Sequence, residues 1–197
     1  MIITGEIPPG ERLKIERLKV MLGTGTSPIR EALSLLTSDQ LVERIDQRGF
    51  RAAPASVNHF QEILALRCQL EPIALGKSIE LGDNQWEEEL VLIHHRLTRT
   101  PRYEIAQFEN LHKEFHMAMI GACQSPILLR FCVQLYDLNV RYRYLAGKSD
   151  DYSQRDIPGE HTQLMEAVIN RDNKLACKNL VAHYEKTGEF LAANLSD

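Results

Sequence analysis

The sequence has no apolar run approaching the ~18 residues that a membrane span needs, and its N-terminus lacks the basic-then-apolar pattern of a secretory signal. No membrane partner is expected, and the cytoplasm is the expected location. Cysteine is sparse: Cys68, Cys123, Cys132 and Cys177 are far apart, with no CxxC. That excludes a disulfide scaffold and predicts small buried core residues. No HExxH, GxSxG or P-loop occurs, so the common signatures of metalloprotease, hydrolase and nucleotide-binding enzymes are missing. There is no internal repeat, and strand signals vanish after residue 56.

What remains is an ordinary globular composition of 197 residues, 44% hydrophobic and 25% charged, enough for one or two domains. The net charge of −4 argues against a wholly basic nucleic-acid binder, but it is unevenly spread. Residues 1–56 carry eight Lys/Arg against seven Asp/Glu, and residues 57–197 carry fifteen against twenty. The N-terminal piece is the less acidic one.

That piece is dense in turn residues: Gly5, Pro8, Pro9 and Gly10, then Gly23 and Gly25, then Gly49, then Pro54. Between them lie two short helical patterns. Residues 16–22 offer Leu18, Met21 and Leu22. Residues 28–42 offer Ser27 as N-cap, Pro28 at the first helical position, Glu31 in the first turn and a stripe of Ile29, Leu33, Leu36 and Leu41. Residues 41–45 and 49–53 read as strands around the turn Asp46-Gln47-Arg48-Gly49. Helix, turn, helix, hairpin is the order of a winged helix-turn-helix. After the linker Pro54-Ala55-Ser56, amphipathic helices are expected over 57–81, 84–97, 102–122, 126–146, 157–170 and 173–193, with Ser56, Asn84, Ser125 and Asp172 as caps and a polar loop over 148–156. The expected fold is mostly α: a winged helix-turn-helix over 1–54 and an all-helical bundle over 57–197.

Four blocks carry a family resemblance: Gly5-Glu6-Ile7-Pro8-Pro9-Gly10-Glu11-Arg12-Leu13, Ser27-Pro28-Ile29-Arg30-Glu31-Ala32-Leu33, Leu41-Val42 and Arg48-Gly49-Phe50. In this order and spacing they resemble the DNA-binding domain of the GntR family of bacterial transcription regulators. Arg67 with Glu71, opening an all-helical second part, resembles the FadR-type subfamily with its ligand-binding FCD domain. The resemblance implies a double-stranded DNA operator, a small carboxylate effector and a homodimer. It places Thr26, Ser27 and Arg30 at the start of a recognition helix in the major groove. Arg48 and Gly49 fall at a wing tip in the minor groove, where glycine permits close backbone approach. Two departures stand out. Thr26 occupies a position where the family usually has Arg. Only Met1–Thr4 precede Gly5, so the family's first helix is expected to be largely missing and the core face it covers exposed.

The seven histidines divide. His59, His94 and His95 show no site pattern and are expected to be partly exposed. His112 and His116 are spaced i,i+4 on the arc of Ile105, Phe108, Phe115 and Met119. His161 lies among Leu164, Met165 and Val168, and His183 among Ala176, Leu180, Thr187 and Phe190. Four imidazoles on the core faces of three helices make a candidate metal site, imidazole being the commonest protein metal ligand. The alternative is that they are hydrogen-bonded core residues. The resemblance strengthens the metal reading: Phe115-His116, Glu160-His161 and Ala182-His183, with steps of 45 and 22 residues, match the contexts of three family histidines. His112 stands where that pattern usually has Asp. An all-imidazole set favours zinc, nickel or copper over manganese or magnesium, and zinc or nickel is the expected cofactor, five- or six-coordinate with water or effector. Arg67 is either half of an internal ion pair with Glu71 or a carboxylate holder near the metal. Arg141 and Arg143, flanking the apolar face of their helix, are further effector candidates. The expected activity is non-enzymatic regulation of transcription. Two alternatives stay open: a helical metalloenzyme, or a ligand-binding domain whose DNA-binding head no longer functions.

Overall fold

Turn residues cut the first third of the chain into short elements, and the long amphipathic stretches behind them run as uninterrupted helices. A computed structural model describes residues 1–46, 48–145 and 156–195. Eight helices and three strands lie among the described residues. The N-terminal part holds β1 (Arg12–Leu13), α1 (Ile15–Leu22), α2 (Thr26–Ser38), β2 (Val42–Ile45) and β3 (Gly49–Ala52). The bundle holds α3 (Val57–Leu81), α4 (Asn84–Arg99), α5 (Ile105–Gly121), α6 (Pro126–Leu145), α7 (Ile157–Ile169) and α8 (Asn173–Asn194). Most of the polar loop expected over 148–156 lies outside the described residues.

The three strands form one antiparallel sheet in the order β1-β3-β2, with Leu13 opposite Phe50 and Val42 opposite Ala52. β1 was not expected, since a two-residue strand carries no periodicity. Gly49 opens β3 at φ +94°, a left-handed value that disfavours any residue with a Cβ. Two other expectations are corrected here. Gly25, not Ser27, is the N-cap of α2, so Pro28 sits third in the helix, still within the first turn where its missing N–H is no loss. α2 ends at Ser38 because Gln40 takes φ +61°, and Leu41 leaves the helical stripe to be buried beyond it. On α1 only Leu18 is buried, while Met21 and Leu22 are exposed.

Ile7, Leu13, Leu18, Ile29, Leu33, Val42 and Ala52 make the N-terminal core, and Met1 and Ile2 pack partly against it. Beside them an apolar groove of about 270 Å³ remains, lined in part by Leu18, Leu22, Ile29 and Leu33. In the bundle, α3 is the spine against which α5, α6 and α8 pack. It lies close to α8 at Gly188, where a Cβ would be 2.2 Å from a Leu64 methyl group. Ser56 and Asp172 cap α3 and α8 as expected, accepting from His59 N and Leu175 N. Asp83 rather than Asn84 caps α4, accepting from Trp86 N at 2.9 Å. Cys123 and Cys132 are buried, Cys68 and Cys177 half-buried, and all four are free thiols.

α6 also holds the N-terminal part. Leu41 packs with Phe60, Leu135, Leu138 and Tyr142 in a core of its own. The Tyr142 hydroxyl meets His59 Nδ1 at 2.7 Å, and Gln134 donates to the Ser38 carbonyl. Arg141, 1% exposed, donates to the Ala53 carbonyl. Arg141→Met keeps the apolar stem but leaves that carbonyl without its donor. A loss of about 1–3 kcal/mol is expected in urea unfolding; unchanged stability would show that this bond does not clamp the junction.

Candidate metal centre and DNA interface

α5 turns His112, Phe115, His116 and Met119 to one buried face, so the i,i+4 pair shares its side of the helix with the core. α7 brings His161 to it and α8 brings His183. All four are buried, and one nitrogen from each falls in a group whose members lie within 4.8 Å of one another. Ring centres are 4.5 Å apart for His112 and His116, 4.9 Å for His112 and His161, and 4.8 Å for His161 and His183. The sequence brings together the four residues it nominated, and a buried cluster of this kind could hold an ion.

Arg143 and Glu71 were nominated for other roles, and which group backs which ring follows from packing between helices. His183 Nδ1 faces Glu160 Oε2 at 2.8 Å. His116 Nδ1 is 3.1 Å from the Tyr184 hydroxyl, which itself donates to Glu71. His112 Nδ1 is 2.6 Å from the Tyr136 hydroxyl and accepts from Arg143 Nη1 at 2.9 Å. His116 Nε2 and His161 Nε2 are buried with no hydrogen-bond partner among the described residues. Burial holds His112, His116 and His161 well below the usual imidazole pKa. Arg143 adds to the effect at His112, and His183 at both His116 and His161. These three rings are therefore neutral, the protonation state that can bind a metal.

The three arginine candidates part ways. Arg67 is buried, donates to Glu71 and Asn139, and lies between the Tyr184 and Tyr136 rings at 4.1 and 4.9 Å. Its burial opposes the charge, but Glu71 and the two tyrosines outweigh it and raise its pKa. Arg143 spans from His112 to Glu109, 2.6 Å away. Arg67, Arg143, His112, His183 and Asn139 border a narrow cavity of about 10 Å³, room for about one water. Arg141 is not there: it is turned to Ala53 on the other side of α6, which corrects its nomination as an effector residue. The remaining histidines also need one correction. His94 is buried, not partly exposed; its ring lies 5.5 Å from that of Phe115, tilted by 47°, and meets the Thr162 hydroxyl at 3.3 Å. His59 is half-buried and His95 exposed.

In the N-terminal part, Thr26, Ser27 and Arg30 are the first, second and fifth residues of α2. Ser27 and Arg30 are exposed, Thr26 half-buried. Arg48 is exposed just before Gly49, and its carbonyl accepts from Arg12 Nη2 at 2.8 Å. Arg12, on the unforeseen β1, is thus a second exposed cation at the hairpin tip.

Comparison with known proteins matches residues 1–51 to the bacterial regulatory proteins of the gntR family and residues 62–186 to the FCD domain. The chain belongs to the GntR family of bacterial transcriptional regulators. It is 35% identical over 193 residues to the uncharacterized HTH-type transcriptional regulator BphR of Paraburkholderia xenovorans, covering 94% of this chain and 78% of that protein. It is 29% identical to the HTH-type transcriptional repressor GlaR of Escherichia coli, covering 92% and 86%. In fold it resembles the E. coli regulator McbR/YncC, with a TM-score of 0.83 at 23% identity over 96% of this chain and 91% of that one. This GntR regulator is a DNA-binding protein, and its curated relatives are regulators rather than enzymes. No helix among its described residues is long and apolar enough to cross a membrane.

The neutral histidines give the metal-free regulator a pH dependence. Unfolded imidazoles titrate near pH 6.5, whereas His112, His116 and His161 resist protonation in the fold. Below about pH 6.5 the unfolded state therefore binds more protons, and stability falls with pH. Urea unfolding of chelator-treated protein is expected to show little change above pH 7. Below 6.5 it should show a loss of up to about 1.4 kcal/mol per pH unit for each histidine. Stability that is flat or rising on acidification would mean that the rings are not held neutral.

Proposed function

We propose that this regulator binds a palindromic operator as a homodimer, and that its bundle holds one divalent transition-metal ion, zinc or nickel, beside a site for a small carboxylate effector. The observation that carries the metal is the pair of buried, unpartnered nitrogens, His116 Nε2 and His161 Nε2. Each such group is destabilising by about 1–3 kcal/mol unless something bonds to it. An ion among four imidazoles satisfies both at once. An all-nitrogen donor set suits zinc, nickel or copper better than magnesium or manganese. Bound there, the ion supplies a Lewis-acidic position for an anionic oxygen.

Arg67, held by Glu71 and Asn139, and Arg143, held by Glu109 and His112, both border the cavity where an effector carboxylate would lie. The cavity between them is too small for an organic acid, so binding must widen it. α6 borders it through Asn139 and Arg143 and grips the N-terminal part through Arg141 and Tyr142. An effector that favours the widened cavity therefore biases the position of the DNA-binding part, a population shift.

The division at 54–57 separates the two roles: the N-terminal part reads DNA and the bundle senses. Ser27, Thr26 and Arg30 face the major groove, and Arg48 with Gly49 the minor groove. One recognition helix reads one half-site, so a specific site requires two copies. Exposed Leu66 and Ile73 on α3 and Ile127 and Phe131 on α6 offer apolar surface to a second copy. As a regulator of bacterial DNA it works in the cytoplasm.

Two experiments test this. Arg30→Ala is expected to weaken operator binding by about 1–3 kcal/mol, with wild-type affinity falling steeply with salt. Wild-type binding that ignores salt would contradict the DNA reading. Zinc at 100 times its Kd is expected to stabilise the fold by about 2.7 kcal/mol, and a chelator to lower the Tm accordingly. A Tm indifferent to both zinc and nickel would return the histidines to plain core packing.

A further inference from the structure

The four histidines do not offer the same thing to an ion. Tyr184 gives its hydroxyl hydrogen to the Glu71 carboxylate, so its oxygen accepts from His116 Nδ1–H. That leaves the lone pair on His116 Nε2, the atom that is buried and unpartnered. Glu160 accepts from His183 Nδ1–H, which leaves the lone pair on His183 Nε2. His161 Nε2 is likewise buried without a partner. At His112 the logic runs the other way. A guanidinium has no acceptor, so at 2.9 Å from Arg143 Nη1 the His112 Nδ1 presents its lone pair. With Nδ1 bare, the single proton of the ring is on Nε2, and an N–H nitrogen cannot ligate.

The charges agree with this division. No Asp or Glu among the described residues shares the group of ligand atoms. Glu160 stands behind His183, Glu71 behind Arg67 and Tyr184, and Glu109 behind Arg143, outside the cluster. A divalent ion on neutral imidazoles keeps its full charge, which favours an anion at any position the imidazoles leave open. Three ligands leave that position open, as four closing a tetrahedron do not.

We infer that His116, His161 and His183 are the metal's protein ligands, and that His112 is a positioning residue, locked by Arg143 and Tyr136, whose Nε2–H donates to a carboxylate bound at the open position. This rests on the metal reading above. It makes His112 the residue that selects for an acceptor-bearing anion, and Arg143 the residue that fixes its tautomer.

The test measures zinc per chain and zinc affinity by chelator competition. Wild type is compared with His116→Gln, His161→Gln and His183→Gln, and with His112→Gln and His112→Leu, each checked for folding by circular dichroism. The three Gln variants are expected to bind zinc at least about 100-fold more weakly. Both His112 variants should keep one zinc per chain, with affinity changed less than about tenfold. Acetate is then the carboxylate probe. It should raise the Tm of zinc-loaded wild type and of His112→Gln, whose amide still donates, but not of His112→Leu. Loss of zinc from folded His112→Gln to the extent seen for the other three would make His112 a ligand and overturn the inference. An undiminished acetate response in His112→Leu would overturn its donor role. Should His112→Leu not fold, zinc retention by His112→Gln decides. Absence of zinc from wild type would instead defeat the metal reading itself.

Discussion

An imidazole buried among other imidazoles tolerates its place only while it stays neutral, because each added proton is both desolvated and repelled. The groups around His112, His116 and His183 fix how those rings are turned. Glu160 orients His183, the Tyr184–Glu71 pair orients His116, and Arg143 with Tyr136 orients His112. Among the described residues, Glu160 and Glu71 stand behind the rings instead of among them. Arg67, between two tyrosine rings, neutralises Glu71 where burial would make a lone carboxylate costly. A core selected for stability alone would place apolar side chains here, as it does at Phe115, Met119 and Leu164 a turn away.

The second constraint is that one helix serves both ends of the molecule. Tyr136, Asn139 and Arg143 of α6 touch the histidines, Arg67 or the cavity. Leu135, Leu138, Arg141 and Tyr142 touch the N-terminal part or the residues that anchor it. The two sets lie on different faces of the helix. A shift of α6 at the cavity is therefore a shift at Ala53 and Leu41. The lack of a side chain at Gly188 lets α8 lie close against Leu64 of α3.

The helical bundle was legible in the sequence because long amphipathic stretches between caps leave few alternatives; Val57–Leu81 is read to the residue. The four histidines were legible because i,i+4 spacing and apolar neighbours fix the face they share. The failures are local or long-range. Gly25 caps α2 in place of Ser27, and Asp83 caps α4 in place of Asn84, because adjacent polar residues compete for a cap on geometry that composition does not reveal. β1 is too short to carry a pattern. Arg141 and Arg143 look equivalent in sequence, two positions apart near one apolar face, yet one turns to Ala53 and the other to His112. Tyr136, Tyr184 and Asn139 had no motif to announce them, and Glu160 appeared only as the neighbour of His161, since their roles are set by packing between helices.

The claim on which the account depends is that the buried histidines are a metal centre. Diffraction from crystals grown with zinc, with anomalous data collected on either side of the zinc absorption edge, tests it most directly. The account predicts one strong anomalous peak per chain at about 2.1 Å from nitrogens of His116, His161 and His183. A map with no peak in the bundle, or with zinc only at exposed histidines such as His95, would contradict it.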